Sequence, residues 1–590
     1  MHEIDRLSPK LAAYLEPVQF AAGERLFLEG DAVDGFYLID EGIVRIQVER
    51  EEIDTDPVLS FLGAGQTVGE LGLLDGQPRA ASAYADEPVG ARKFSKSSLA
   101  QIELEEPALG AAIFRHLGRE AALKLRAANE RILGHAAPRE TEETAQVSPM
   151  VEAAWQAQKA FVLWSEERVN ALLAALAESI AARAAVLAEH TVALTHMGSA
   201  ADKTRKNRLA SLGVLASLAN QPGYGLLNSP PTDGVSEFAA PAGVVFGLIP
   251  MTNPVATAIF KVLICLKSRN AVILSFHRST RELAETVGAI FQRVLEREGA
   301  PRGLIQWVRG RNSRRTTEAF FHHPGISLLL ATGGRSMVEA AYRSGKPALG
   351  VGPGNAPALI CLDADLDWAA QCIVESKSFD HGIICGSEHN LVVPAAIRAA
   401  FERALERAGA AVLNDEEATV FHAQCVVPDR AALRRNVLGR SAAETAAAIG
   451  VQRGHPIRLI VIPSAEVSPN NPLAMEKMAP IAGLFEVRDE LEGVEVSRRL
   501  LELDGLGHTA VIHSRNAPLI ERFATLMPAS RILVGSPASQ GVVGITTGLI
   551  PSFMLGCGTF GGTSTGDNVT YTHVRNLKRL AHFRPPSAVF

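Results

Sequence analysis

The chain is short of several things that would assign it to a common class. Its 58 lysines and arginines are outnumbered by 64 aspartates and glutamates, for a formal net charge of −6. That leaves no overall basic footprint of the kind a phosphate backbone requires, so nucleic acid is not an expected partner. No stretch reaches about 18 uninterrupted apolar residues, and the opening MHEIDRLSPKLAAYLEP has no basic segment followed by an apolar one. A cytoplasmic protein with no membrane partner is expected. The six cysteines, Cys265, Cys361, Cys372, Cys385, Cys425 and Cys557, are scattered and form no CxxC pair. They suit reduced thiols better than a disulfide frame or a metal site. Each is by default a small buried apolar residue, which still leaves room for one reactive thiol. Internal repeats, heptads and low-complexity tracts are missing, apart from alanine-rich helices.

What is present is an ordinary globular composition, 47% hydrophobic and 21% charged over 590 residues. The length calls for about two to four domains. Residues 18–100 alternate in short strands punctuated by glycines, which predicts a small β-roll, and Glu106 to Leu133 has a helical apolar period. The segment GHAAPRETEETAQVSPM, 134–150, is polar with two prolines and is expected to be a linker. Beyond it comes helical sequence to about Gly223, then GVVFGLIP, PVATAIFKVLICLKS, AVILSF, a helix from Leu283 to Arg297, LIQWVRG and ISLLLATGG. This is a βαβ series that implies a parallel sheet. A second α/β alternation starts near residue 355. The expected division is 1–133 for the roll, 151–352 and 353–550 for two α/β lobes, and 551–590 for a segment that packs back and supports oligomerisation.

Within the roll, VGELGLLDGQPRAASA places Glu70 and Arg79 across a short turn, a carboxylate for a ribose hydroxyl and a guanidinium for a phosphate. On these residues the module resembles the cyclic-nucleotide-binding domains from about Phe20 to Leu133. The resemblance implies that Gly69, Glu70, Leu71, Arg79 and Ala80 contact the nucleotide, Glu70 at the ribose and Arg79 at the cyclic phosphate. Ala80 after the arginine is similar to the cAMP-preferring form. Many such modules keep the roll and bind nothing, so docking and assembly stay open as roles. The enzyme-like sequence beyond the roll makes regulation of an enzyme the better expectation.

Five features come in one order. In LIPMTNP a strand ends in a turn and a helix begins, so that Asn253 could offer its amide to an oxyanion, although Asn before Pro is also a common helix start. ISLLLATGGRSMVEAAYRSGK is strand, two glycines and helix, a setting where dinucleotide phosphates can approach backbone, though it is not the GxGxxG fingerprint. LGVGPGNAP crosses into the second lobe. In SFDHGIICGSEHN, Cys385 stands among glycines at the expected end of a helix begun near Asp365, a setting that suits an accessible thiolate. EKMAP, GLGHT, PASQG and LGCGTFGG complete the order.

This order from Met150 onward resembles the CoA-acylating aldehyde dehydrogenases, relatives of the aldehyde half of bifunctional aldehyde-alcohol dehydrogenases and of acetaldehyde and sulfoacetaldehyde dehydrogenases. The resemblance implies a two-lobed α/β aldehyde dehydrogenase fold with a Rossmann-like NAD-binding lobe and a catalytic lobe. It makes Cys385 the nucleophile and Asn253, with the Cys385 backbone N–H, the oxyanion hole. It assigns Glu476 to the nicotinamide ribose and His508 to acyl or proton transfer. Pro250, Thr252, Thr332, Gly333, Gly334 and Met337 would line the dinucleotide, with His277 near the adenosine ribose. Hydrolytic relatives carry a glutamate base about 34 residues before their cysteine, where this chain has Val351 in a stretch without a carboxylate. The expected reaction is therefore aldehyde, CoA and NAD to acyl-CoA and NADH, reversibly, for a short-chain aldehyde. NADP stays open, because no acidic residue stands after AVILSF and His277 and Arg278 could tolerate a 2′-phosphate. A homo-oligomer, dimer or tetramer, is expected. With the chain ending at Phe590, an alcohol dehydrogenase step is expected of another protein. Two alternatives remain at this point: a hydrolytic aldehyde dehydrogenase, and a silent nucleotide-sensing or assembly protein.

Overall fold

The computed structural model describes residues 9–48, 58–133, 142–228, 234–310, 313–427 and 432–583. They fall into two compact units, Met1–Arg139 and Glu140–Phe590. The first unit holds two antiparallel four-stranded sheets. One runs in the order Leu15–Phe20, Val89–Ser95, Gly35–Glu41, Thr67–Val68, and the other Arg25–Phe27, Ser82–Ala85, Ile43–Gln47, Val58–Gly63. Two apolar clusters fill the roll, one around Phe36, Leu38 and Phe94 and one around Ile39, Val44 and Val89. Helices Lys96–Glu105 and Pro107–Leu133 close it, the first capped by Ser95, whose hydroxyl accepts from the Ser98 N–H.

The expected linker over 134–150 needs correction. Its residues 142–150 are the first turns of helix Glu142–Phe161, which contains Pro149; 134–141 lie outside the described residues. The polar composition hid a narrow apolar stripe: Val147, Val151 and Ala154 are buried at helical spacing against the core of the larger unit. No single helix among the described residues is long and apolar enough to cross a membrane.

The second unit carries two parallel sheets. The first runs in the order Ile305–Trp307, Ala271–Phe276, Val244–Ile249, Leu328–Ala331, Ala348–Gly350. Its three central strands are buried on both faces, which explains their nearly continuous apolar runs. Helix Pro254–Lys267 is buried on every side. The second sheet runs Ala410–Val412, Leu459–Ser464, Ile481–Val487, Glu388–Pro394, Ala356–Ile360, Gly507–His513, Ala529–Val534. Strand Arg575–Ala581 returns to the first lobe and pairs antiparallel with Val235–Pro241 over its whole length. Met554, Val569, Tyr571 and Val574 are part of that lobe's apolar core.

Candidate active site

The sheets explain where the motifs meet. In the first sheet, Val244–Ile249, Ala271–Phe276 and Leu328–Ala331 are the neighbouring central strands. Their carboxyl ends run directly into Pro250–Asn253, His277 and Thr332–Gly334 respectively. All three segments therefore sit at the carboxyl edge, where open α/β sheets bind ligands. In the second sheet the order is reversed. Cys385, Glu476 and His508 stand at or just before the amino ends of Glu388–Pro394, Ile481–Val487 and Gly507–His513. The crossing Val351–Asn355 leads from one sheet to the other.

Cys385 is not at a helix end as expected. The helix Leu366–Ser378 stops earlier, and a tight turn, Phe379–Gly382, intervenes. Asp380, His381 and Gly382 have φ of 47°, 53° and 68°, a left-handed run that includes two non-glycine residues, each of which costs about 1–2 kcal/mol. A periodic sequence pattern carries no signal of such a run. The turn presents Cys385 partly exposed, the only one of the six cysteines that is not buried.

Its Sγ lies 3.2 Å from His508 Nε2, and His508 Nδ1 lies 2.9 Å from Thr509 Oγ1. Burial pushes the Cys385 thiol up to about 12, with the charges of Glu476 and Cys557 adding to it and Arg531 opposing. Burial, then the Arg531 charge, holds the His508 imidazolium well below its ordinary range. The resting pair at neutral pH is thus a thiol beside a neutral imidazole, the state from which the ring can take the proton. Arg531, opposite Thr509 in the parallel register, donates to the Gly556 and Gly566 carbonyls at 2.6 and 3.1 Å. It had no signal in the sequence beyond being an arginine in a strand.

Glu476 accepts from the Gly354 N–H at 3.3 Å, which ties EKMAP to the crossing. Burial and the neighbouring Asp504 charge push its carboxyl up to about 7. A Cβ on Gly354 would collide with the Cys385 carbonyl oxygen, so only glycine lets the crossing run under the nucleophile. Val351 packs against the first-lobe core.

On the cofactor side, Thr332 Oγ1 is buried with no protein partner, and a Cβ on Gly334 would meet nothing. The turn is an open ledge with a spare hydrogen-bonding group, and a dinucleotide fits it. Met337, one turn into the next helix, is partly buried against the core. Pro250 and Thr252 are half-buried, and His277 is exposed with Nδ1 2.7 Å from Ser279 Oγ. Asn253 begins helix Pro254–Lys267, and its Oδ1 accepts from Lys206 Nζ, which also contacts Asp380 Oδ2. Lys203, Lys206 and Asp380 were not singled out from sequence.

In the N-terminal unit the cassette residues assemble but are engaged within the module. Arg79 is 3% exposed; its guanidinium donates to Asp34 Oδ1 and the Gly35 carbonyl, both at 2.8 Å, and to the Gly69 carbonyl at 2.5 Å. It also lies over the Phe27 ring at 4.1 Å. Gly69 has φ +85°, and a Cβ there would strike the guanidinium. Glu70 is 2% exposed and pairs at 2.7 Å with Lys124 of the closing helix, which also reaches the Thr67 carbonyl at 2.8 Å. Leu71 and Ala80 are exposed. The expected ribose and phosphate groups are close together, but neither is free.

Comparison with known proteins agrees with both units. The aldehyde dehydrogenase family model matches residues 124–571, and a cyclic nucleotide-binding domain model matches 17–105. The chain is 35% identical over 442 residues to aldehyde-alcohol dehydrogenase 2 of Entamoeba histolytica, covering 72% of this chain and 51% of the relative. It is 31% identical over 443 residues to the succinate-semialdehyde dehydrogenase (acetylating) of Clostridium kluyveri, covering 75% and 97%. The crystal structure of an acetylating aldehyde dehydrogenase from Geobacillus thermoglucosidasius superposes with a TM-score of 0.72 at 36% identity, over 76% of this chain and 98% of that one. The chain belongs to the aldehyde dehydrogenase family and carries a cyclic nucleotide-binding domain ahead of it. It spans about half the length of the bifunctional aldehyde-alcohol dehydrogenases it matches.

Proposed function

We propose that this chain is a CoA-acylating aldehyde dehydrogenase acting on a short-chain aldehyde. The observation that carries the reading is the Cys385–His508 pair at 3.2 Å, beside a crossing, Leu349–Pro357, that holds no carboxylate to activate water. His508 takes the thiol proton and Cys385 Sγ adds to the aldehyde carbonyl, whose oxygen becomes an oxyanion that the Asn253 amide and the Cys385 N–H receive. NAD, when bound across Thr332–Gly334 and the Pro250–Thr252 turn, supplies the hydride acceptor. Glu476 would hold its nicotinamide ribose, Met337 would line the same turn, and His277 would lie on the adenosine side. A thioester remains on Cys385, and the CoA thiolate displaces it, returning the cysteine as thiolate to take back its proton from His508. One thioester replaces another, so the reaction runs in both directions.

The finer features belong to the same reading. The exposed His277 and Arg278 leave NADP as a second cofactor. Leu577 and Leu580 on strand Arg575–Ala581 are exposed apolar residues suited to a homo-oligomer, dimer or tetramer. Six free thiols suit a reducing compartment, the cytoplasm. A cyclic nucleotide, cAMP in the first instance, regulates the enzyme by taking Glu70 from Lys124 and Arg79 from Asp34.

The experiment is NADH formation from a panel of short aldehydes, with and without CoA, in the presence and absence of cAMP. Turnover that needs CoA and yields an acyl thioester supports the reading. NADH formed equally well without CoA replaces it with the hydrolytic reaction, and no turnover with any aldehyde favours a sensing or assembly role.

A further inference from the structure

The oxyanion-binding role of Asn253 requires that its amide present Nδ2, not Oδ1, to the reacting carbonyl. A terminal amide can rotate about its last bond, and something has to choose between the two ends. An ammonium group has three donors and no acceptor, so it can only take the oxygen. Lys206 Nζ contacts Asn253 Oδ1. With the oxygen held there, the NH2 group turns the other way, and among the described residues no protein acceptor takes it.

Lys206 is itself held from behind. Its Nζ contacts Asp380 Oδ2, and the same carboxylate accepts from Lys203 Nζ at 3.0 Å and, through Oδ1, from the Ser199 N–H at 2.8 Å. Lys203 Nζ also donates to the Thr252 carbonyl at 2.7 Å, so two lysines of helix Ala200–Arg208 grip the turn that carries Asn253. Both lysines and Asp380 are buried. Asp380 is the first residue of the left-handed run that precedes Cys385, and its own N–H donates to Asp202 Oδ2 at 3.0 Å. The chain thus uses one buried carboxylate to brace both the nucleophile's turn and the lysine that faces the oxyanion amide. Lys203 and Lys206 converge on the Asp380 carboxylate, and Asp202 is the second acidic group beside them.

We propose that Lys206, anchored by Asp380, is a positioning residue that fixes the Asn253 amide with Nδ2 toward the oxyanion formed on the aldehyde at Cys385. Lys206 acts through Asn253 and touches neither substrate nor cofactor. The inference rests on the proposed aldehyde chemistry at Cys385, but not on whether CoA or water takes the acyl group.

The test compares Lys206→Met, Lys206→Gln, Asn253→Ala and the double variant Lys206→Met/Asn253→Ala in the full chain, with kcat and KM for the aldehyde measured for each. Lys206→Met is expected to lower kcat by about 10- to 100-fold, less than outright loss of an oxyanion donor, with KM changed by less than about threefold. Glutamine can still donate to Asn253 Oδ1 but cannot neutralise Asp380, so Lys206→Gln should recover part of that loss. The double variant should be no slower than Asn253→Ala alone, because the lysine has nothing left to orient. The alkylation rate of Cys385 should be unchanged throughout, which separates misorientation of the amide from collapse of the nucleophile's turn. If Lys206→Met does not accumulate as folded protein, Lys206→Gln against Asn253→Ala carries the same comparison. A full-speed Lys206→Met, equal losses in the Met and Gln variants, or losses that multiply in the double variant would overturn the proposal. A wild-type chain that oxidises aldehyde without needing CoA defeats the acylating reading and leaves this one to be decided by the variants; one that oxidises no aldehyde defeats both.

Discussion

At the scale of single residues, the centre depends on a proton that must leave a reluctant thiol. Burial pushes the Cys385 thiol up to about 12 and holds the His508 imidazolium well below its usual range. The thiol is therefore protonated at neutral pH, the ring is neutral, and the thiolate fraction grows as pH rises. Alkylation of Cys385 by iodoacetamide should accelerate with pH in the wild type. In His508→Ala it should be at least about tenfold slower at neutral pH, the lower end of the worth of a positioned base, and the deficit should shrink toward high pH as hydroxide does the work of the ring. Equal rates at neutral pH would remove His508 as the base. Asn253, Cys385, Glu476 and His508 could be singled out from sequence because each sits in a short string beside a strand end. The lysine behind Asn253 was not, since Lys206 and Asp380 are separated by 174 positions and their contact leaves no local trace.

At the scale of elements, the N-terminal roll shows how far a motif can be read. Turn glycines and alternating strands announced the roll, but between Glu70 and Arg79, where a short turn was expected, the chain forms the helix Leu71–Asp75. Their partners lie far away in sequence: Asp34 stands 45 residues from Arg79, and Lys124 stands 54 from Glu70 on the closing helix. The helix is thereby fastened to the cassette by an ion pair whose acidic half is buried and whose basic half is 28% exposed. Lys124→Met would leave a buried carboxylate without its counter-charge. A loss of about 1–2 kcal/mol in the module is expected, modest because Lys124 is partly solvated. If the cassette takes a cyclic nucleotide, the variant should gain a larger thermal shift with cAMP than the wild type, since the ribose hydroxyl then has no lysine to displace. A calorimetric titration without heat in either protein would end the regulatory reading. The same scale explains why the expected linker ran too far, although the boundary between the units falls inside it: Val147, Val151 and Ala154 form a stripe too narrow to stand out among the polar residues around them.

At the scale of the whole molecule, the two units are each compact, with separate apolar cores. A chain begun at Glu140 should fold and retain aldehyde turnover to within about threefold while losing any response to cAMP. An inactive, unfolded product would mean that the roll is part of the enzyme's structure, not an attachment to it. The parallel architecture itself was legible, because strands buried on both faces are mostly apolar, although Glu388–Pro394 and Gly507–His513 are buried throughout and carry Glu388, His389, Asn390, His508 and Thr509; contacts such as Lys206 with Asn253 and Asp380 leave no local pattern.

The return of residues 554–574 to the first lobe has a consequence for how the protein is made. Ser268 donates to the Tyr571 carbonyl at 2.7 Å and Asn270 to the Val574 carbonyl at 2.6 Å, contacts that span 303 and 304 positions. The lobe synthesised first is closed by residues synthesised some three hundred positions later, so on the ribosome it waits with the flank of its wholly buried helix Pro254–Lys267 uncovered while the thiol lobe is completed. That waiting surface is where nascent chains would stick to one another, so the yield of folded enzyme is expected to rise with chaperone supply.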